Sequence, residues 1–216
     1  MTEPPAAREG GSEAERARDA ALARVRELTE AREADAREAQ RHLRNVLSVV
    51  RSLAGRTADE AETLDAFRAR FDGRLAAFAR VQSALPRDGR TGLDLGRLVG
   101  DECLDFGIGV GGVGGVELVG EPVRLLPRAA GLFALVAHEL VAELAAAGRP
   151  EGARVAWTVG DALDIDWVQQ VGPDRFRPLP DWIGEAIAYE LKGRVTEEEM
   201  DGVARRRIRL PRDWHL

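Results

Sequence analysis

Residues 129–170 read AAGLFALVAHELVAELAAAGRPEGARVAWTVGDALDIDWVQQ, and their order decides the fold class. As far as Gly148 the run is apolar on nearly every side, its polar side chains being His138, Glu139 and Glu143. A helix of that character is buried on more than one face. RVAWTVG and ALDIDWVQQ then alternate apolar and polar residues, the period of a half-buried strand, with Gly160-Asp161 at the turn between them. A helix layer over a small mixed or antiparallel sheet follows, the α+β class. The flanks extend this reading. Downstream, WIGEAIAYELKG reads as a helix and ARRRIRLP as a last strand. Upstream, Leu93 to Phe106 reads as a short helix, followed by a glycine-rich connection and two short strands, VELVG and PVRLL.

The other half of the chain is helical. No proline or glycine falls between Glu13 and Leu53, and Ala, Arg, Glu and Leu dominate. Small or apolar residues recur at Ala14, Ala17, Ala21, Val25 and Leu28. That frame is interrupted at Arg32 and Asp35, then resumes through Ala36, Ala39, Leu43, Val46, Val50 and Leu53. The seam fits either a dimer contact or an amphipathic helix packed on its own domain. Gly55-Arg56-Thr57 is expected to break the helix, with Thr57 and Glu60 as a capping box. A second helix then carries Leu64, Phe67, Phe71, Leu75, Phe78 and Val81 until Pro86-Arg87-Asp88-Gly89 stops it. Two such helices form a hairpin, and two copies of the hairpin make a four-helix bundle. The expected organisation is a disordered segment 1–12, a coiled-coil-like helical extension 13–40, a helical hairpin 41–90 and an α+β domain 91–216.

Composition excludes several functions. The 216 residues carry a formal net charge of -6 and a pI near 5.3, which opposes general binding to nucleic acid or anionic lipid. Cys103, the single cysteine, excludes an internal disulfide framework and a cysteine zinc site. No run of apolar residues long enough to insert in a membrane is expected, and the polar start, MTEPPAAREGG, reads as cytoplasmic rather than secreted. Gly107-Ile-Gly109-Val-Gly111-Gly112 matches G-x-G-x-x-G literally, but a strand-like segment follows it where a dinucleotide site needs a helix N-terminus. It reads as a flexible connection. The histidines, His42, His138 and His215, lie at no metal-ligand spacing, so no metal site is expected. Arg205-Arg206-Arg207 reads as the solvated start of a strand.

The ordered combination of segments resembles the HWE-type sensor histidine kinases over residues 38–211. Their first hairpin helix reads E-L-N-H-R-V-K-N-x-L, matched here identically by Glu38, Asn45 and Leu47 and in character by Leu43 and Arg44. RFDGRLAAFARVQSAL resembles R-L-x-A-L-A-R-x-x-x-L-L of the second helix. HELVAELAAAG resembles the nucleotide-binding motif H-E-L-A-T-N-A-x-K-Y-G, keeping His138, Glu139, Leu140 and Gly148. DWVQQVGP resembles W-x-E-x-G-G-P, keeping Trp167, Gly172 and Pro173. The resemblance implies a dimeric phosphotransfer bundle, an ATP-binding-like domain and a response-regulator receiver domain as partner.

The departures fall on the chemistry. Arg41 stands where the family presents its phosphoaccepting histidine, and a guanidinium has no lone pair to attack a phosphate. His42 is one residue further on, at the flank of the stripe Leu43, Val46, Leu47 and Val50. Glu143 replaces the asparagine that helps to hold Mg²⁺-ATP, and Ala146 and Ala147 replace the lysine and tyrosine. Gln169 replaces the W-x-E carboxylate. Arg177-Pro178-Leu179 falls on the G-F-G turn, without a glycine to let backbone amides approach phosphate. ATP and Mg²⁺ binding is therefore expected to be lost or weak, leaving His138, Glu139, Glu143, Trp167, Gln169 and Gly172 as a vestigial nucleotide site. Arg41, Arg44 and Ser48 are the expected receiver-binding residues. Asn45, one turn after Arg41, holds the place from which related phosphatases orient a water, and His42 is the alternative phosphoryl acceptor. The expected function is a degenerate, dimeric kinase-like protein acting on a receiver as phosphatase, phosphotransfer partner or sequestering regulator. An active HWE-type kinase with diverged motifs and a non-catalytic dimeric scaffold are the alternatives.

Overall fold

The structure, a computed structural model, describes residues 6–85, 91–112, 114–148, 152–171 and 176–215, with side chains from residue 15 onward. A long helical N-terminal region precedes a small mixed α/β domain. The helices are α1 (Ala6–Glu60), α2 (Leu64–Ala84), α3 (Leu95–Asp105), α4 (Pro127–Ala147) and α5 (Asp181–Leu191). The strands are β1 (Leu93–Asp94), β2 (Glu117–Val119), β3 (Arg124–Leu125), β4 (Arg154–Val159), β5 (Ala162–Gln170), β6 (Arg194–Met200) and β7 (Val203–Pro211). The chain divides into two compact units, Met1–Ser52 and Leu53–Leu216.

In the first unit α1 begins at Ala6, inside the segment expected to be disordered, because Ala6, Ala7, Glu13 and Ala14 are helix formers that carry the backbone across Gly10-Gly11. Leu22, Val25, Leu28, Leu43 and Leu47, residues of the apolar seam or beside it, are exposed. The expected break at Gly55–Thr57 does not occur. The helix runs on to Glu60, since a lone glycine costs only about 1 kcal/mol in a helix interior. The cap of α2 is Thr63, whose hydroxyl accepts from the Ala66 N–H at 3.1 Å.

The second unit contains α2 together with the α/β elements. Its main sheet has the order β2-β4-β5-β7-β6, with β2 parallel to β4 and every other pairing antiparallel. A second, two-stranded sheet pairs β1 with β3. Period-two alternation sends Val155, Trp157, Leu163, Ile165, Trp167, Ile208 and Leu210 into the core. The intervening Asp164, Asp166, Arg205, Arg207 and Arg209 line the solvent face. Above the core lies α4, which packs against α2 and α3 and ends at Gly148 in the left-handed conformation. By length and composition α4 is apolar enough to cross a membrane, contrary to expectation, but 72% of its most apolar window is buried inside this body. The RVTEEEM segment, whose three consecutive glutamates conceal any strand pattern, forms the edge strand β6. The glycine-rich connection is a tight loop: Gly111 N–H donates to the Val116 carbonyl and Val116 N–H to Gly109, both at 2.9 Å.

Candidate functional site

On α4, His138, Glu139, Ala142, Glu143 and Ala146 occupy one arc of about 140° at 100° per residue. They face a cavity of about 870 Å³, walled on the far side by Ala69, Arg70, Gly73 and Arg74 of α2 and closed by Arg177, Pro178 and Leu179. That volume suits a small ligand. The structure thus brings His138, Glu139 and Glu143 to one cavity. Gln169 and Trp167 lie buried beneath it, linked to it through Glu143. Gly172 lies outside the described residues.

The polar groups of this cavity are bonded to one another. Glu143 Oε2 accepts from Gln169 Nε2 at 2.8 Å and from Arg206 Nη2 at 2.5 Å, while Oε1 accepts from the Arg177 N–H at 2.9 Å. The other end of the Gln169 amide is also engaged, since its Oε1 accepts from Trp167 Nε1 at 2.7 Å. Arg206 is wholly buried; its Nε donates to Glu197 at 3.1 Å, and its Nη2 also donates to the Arg177 carbonyl. This corrects the reading of Arg206 as a solvated residue. Strand alternation places it on the inward face with Ala204, Ile208 and Leu210, a signal legible in the sequence. The Leu179 N–H donates to the Glu197 carboxylate at 3.0 Å. At the three positions of the G-F-G turn, two amides are therefore committed to carboxylates, and Pro178 has none to offer.

Toward α2 a second network forms. Arg74, 2% exposed, donates from Nε to Glu139 at 2.6 Å, from Nη1 to Thr57 at 2.9 Å and from Nη2 to Glu60 at 2.7 Å. Its guanidinium lies 5.3 Å from the ring centroid of Trp182, whose Nε1 donates to Glu60. Burial alone lowers the Arg74 pKa, but hydrogen bonds and charge from Glu139 and Glu60 outweigh it and raise the pKa. His138 Nδ1 lies 2.9 Å from Glu102 Oε1, and Glu102 Oε2 accepts from Arg80 at 2.5 Å. Burial pushes the Glu102 carboxyl up, yet hydrogen bonds from His138 and Arg80, with their charge, hold it below its ordinary range. Glu102 and Glu197 carried no motif in the sequence, whereas Arg74 and Arg80 stood in the second-helix motif without an assigned role.

The remaining candidates sit on α1 in the first unit. Arg41, His42, Arg44, Asn45 and Ser48 are all exposed. Helical geometry gathers Arg41, Arg44, Asn45 and Ser48 on one stripe opposite Leu43, Val46, Leu47 and Val50, with His42 at its edge. Among the described residues, no group of His, Cys, Asp and Glu is arranged to hold a metal ion.

Comparison with known proteins assigns these elements. The sequence profile of the HWE histidine kinases matches residues 38–108, from α1 through α2 and α3. Over those residues, less than half of its length, the chain is similar to the HWE histidine kinases. No curated protein sequence matches it. The Erythrobacter litoralis blue-light activated histidine kinase EL346 aligns at 14% identity and a TM-score of 0.52, over 79% of this chain and 59% of that one. This chain therefore spans less than two thirds of that protein, and the likeness establishes the fold. The histidine kinase domain of the same protein aligns over 85% of its length at 14% identity and a TM-score of 0.47. Acinetobacter baumannii histidine kinase AdeS aligns over 79% of this chain and 96% of that one, at 13% identity and a TM-score of 0.42. The profile match ends at residue 108, so the motifs on α4 and β5 lie beyond it.

Proposed function

We propose that this chain is a catalytically degenerate histidine-kinase-like protein of a two-component pathway, which binds a response-regulator receiver domain and no longer uses ATP. The observation that carries the reading is the internal engagement of the nucleotide-site positions. A carboxylate, Glu143, stands where Mg²⁺-ATP needs a neutral amide ligand, and it is bonded to Arg206, Gln169 and the Arg177 amide. Gln169, at the adenine-recognising position, is fully buried with both ends of its amide bonded. A triphosphate entering here would lose the amides of Arg177 and Leu179 to Glu143 and Glu197, and would meet two carboxylates instead. The residues present do not fit the nucleotide.

The partner-facing surface is the exposed stripe of Arg41, Arg44, Asn45 and Ser48. Its arginines suit an acidic receiver pocket or the phosphoryl oxygens of an aspartyl phosphate. From that stripe the Asn45 amide orients a water for attack on the phosphoryl group, which makes the protein a receiver phosphatase. Phosphotransfer through His42 and sequestration without chemistry are the other roles open to the same surface. The exposed Leu43 and Leu47 on the opposite side form a homodimer contact between two α1 helices.

Two assays test this. Calorimetric titration of the purified chain with Mg²⁺-ATP is expected to give no binding heat, whereas acid-labile label on a histidine from γ-labelled nucleotide would overturn the reading. Decay of a phosphorylated receiver is expected to be accelerated by wild type, with Asn45→Ala slowing it at least tenfold. Equal decay with both proteins removes Asn45 from the mechanism.

A further inference from the structure

We propose that the first half of α2 is a flap over the cavity, latched by Arg74 at its C-terminal boundary and hinged where apolar packing begins at Ala77. The two halves of this helix are held by different physics. From residue 77 onward, Ala77, Phe78 and Val81 are buried in the core against α4. Before Arg74, Leu64 is 72% exposed, Ala69 and Arg70 are exposed, and Phe67 and Phe71 stack on each other at 5.5 Å. Of the four α2 residues that wall the cavity, Ala69, Arg70 and Gly73 belong to this half, and the buried Arg74 closes it.

The latch is the buried Arg74. One guanidinium ties α2 to Glu139 on α4 and to Thr57 and Glu60 at the end of α1, while stacking on Trp182 of α5. Gly73 seats it: a Cβ at this position would lie 2.7 Å from His138 Nε2, so only a glycine lets the helix come this close to the imidazole. Charged hydrogen bonds exchange readily with water when a segment lifts, whereas buried apolar contacts resist exposure. The segment before Arg74 is therefore the part of α2 that opens locally while Ala77, Phe78 and Val81 stay docked. Opening uncovers His138, Glu139 and the Ala142 wall of the cavity. Closure is the state the structure holds. This inference does not rest on a receiver partner, because its readouts are backbone exchange and access to the cavity.

Hydrogen–deuterium exchange on the full chain tests it with Arg74→Met, which keeps the aliphatic stem and removes the guanidinium. Exchange in the amides of residues 66–73 is expected to rise at least tenfold, with residues 78–84, β5 and β7 unchanged. A uniform rise along the whole of α2, or none, overturns the flap. Should Arg74→Met fail to fold, Glu139→Gln weakens the same latch and is expected to give a several-fold rise confined to the same amides. In an Ala142→Cys background, maleimide labelling of the cavity wall is expected to quicken at least fivefold with either substitution. The native Cys103, fully buried, reports global unfolding in the same sample, and equal acceleration at both cysteines refutes a local opening.

Discussion

Replacing Arg206 by methionine tests whether its network with Glu143 and Glu197 is a structural element. The side chain is fully buried, and its two carboxylate partners, Glu143 and Glu197, are 10% and 19% exposed. Methionine matches the length of the stem, so little cavity volume is created. Two carboxylates, however, lose their buried cation. Breaking a buried pair in this way costs about 3–5 kcal/mol. Glu143 keeps its bonds from Gln169 and the Arg177 N–H, and Glu197 keeps the Leu179 N–H, which places the expected loss near the lower end, about 3 kcal/mol. For a body of this size that corresponds to roughly 6–12 °C in the thermal midpoint. Urea unfolding followed by tryptophan fluorescence measures it, Trp167 being adjacent to the network through Gln169. Adding Glu143→Gln removes one of the stranded charges and is expected to recover about 1–2 kcal/mol. A loss below about 1 kcal/mol for the single variant, or simple additivity in the double, refutes the assignment of Arg206 as counter-ion.

Glu102 governs part of the acid limb. Its folded pKa lies below the ordinary 4.5, so its stabilising contribution is complete above that value and is lost as pH falls through it toward the folded pKa. Glu102→Gln is expected to flatten the loss of stability below about pH 5, measured by urea unfolding across that range; an unchanged acid limb refutes it. Leu43→Glu with Leu47→Glu places charge on the exposed α1 face, 60% and 65% exposed at those residues, and under the proposed α1 contact is expected to lower the mass in sedimentation equilibrium from dimer to monomer; an unchanged mass refutes that contact. Folded-state helicity should be unchanged, which separates a lost interface from unfolding. Gln169→Glu sets a carboxylate 2.8 Å from Glu143 Oε2 and is expected to destabilise by about 1–3 kcal/mol, with Glu143→Asn rescuing it. Absence of rescue would show that the two positions are not coupled.

Periodicity made most of the fold legible. The alternation in RVAWTVG, ALDIDWVQQ and ARRRIRLP corresponds to β4, β5 and β7 almost to the residue, and the apolar run ending at Gly148 is α4. Local signals failed where tertiary bonds decide the outcome. The glutamates of β6 concealed a strand whose Glu197 turns inward to reach Arg206 and the Leu179 amide. Thr57 resembled a helix cap, yet its hydroxyl accepts from Arg74 inside α1, and capping passes to Thr63. At the site, motif matching located His138, Glu139, Glu143, Trp167 and Gln169. It did not reveal their partners Arg74, Glu102, Glu197 and Arg206, because a counter-ion is defined by proximity across the fold and not by spacing along the chain.

The exchange at positions 143 and 169 bears on the proposed loss of nucleotide chemistry from a site that keeps its architecture. In the family pattern the helix offers an amide and the strand a carboxylate; here the helix offers the carboxylate, Glu143, and the strand the amide, Gln169. An amide–carboxylate hydrogen bond still joins α4 to β5, at 2.8 Å, with its polarity reversed. Reversal moves the negative charge to a point from which it also reaches Arg206 on β7 and the Arg177 backbone. One carboxylate now links a helix, two strands and the segment before α5, bonds that a nucleotide and its metal would have to break in order to enter. Drift without constraint would leave unpaired buried polar groups, each costing about 1–3 kcal/mol. The observed set instead bonds Glu143, Gln169 and the two turn amides together, leaving Arg206 Nη1 as the network's one buried side-chain nitrogen without a partner among the described residues. On the proposed reading, the substitutions that close the site to nucleotide also hold its walls in place, so that a kinase-like body persists around the cavity.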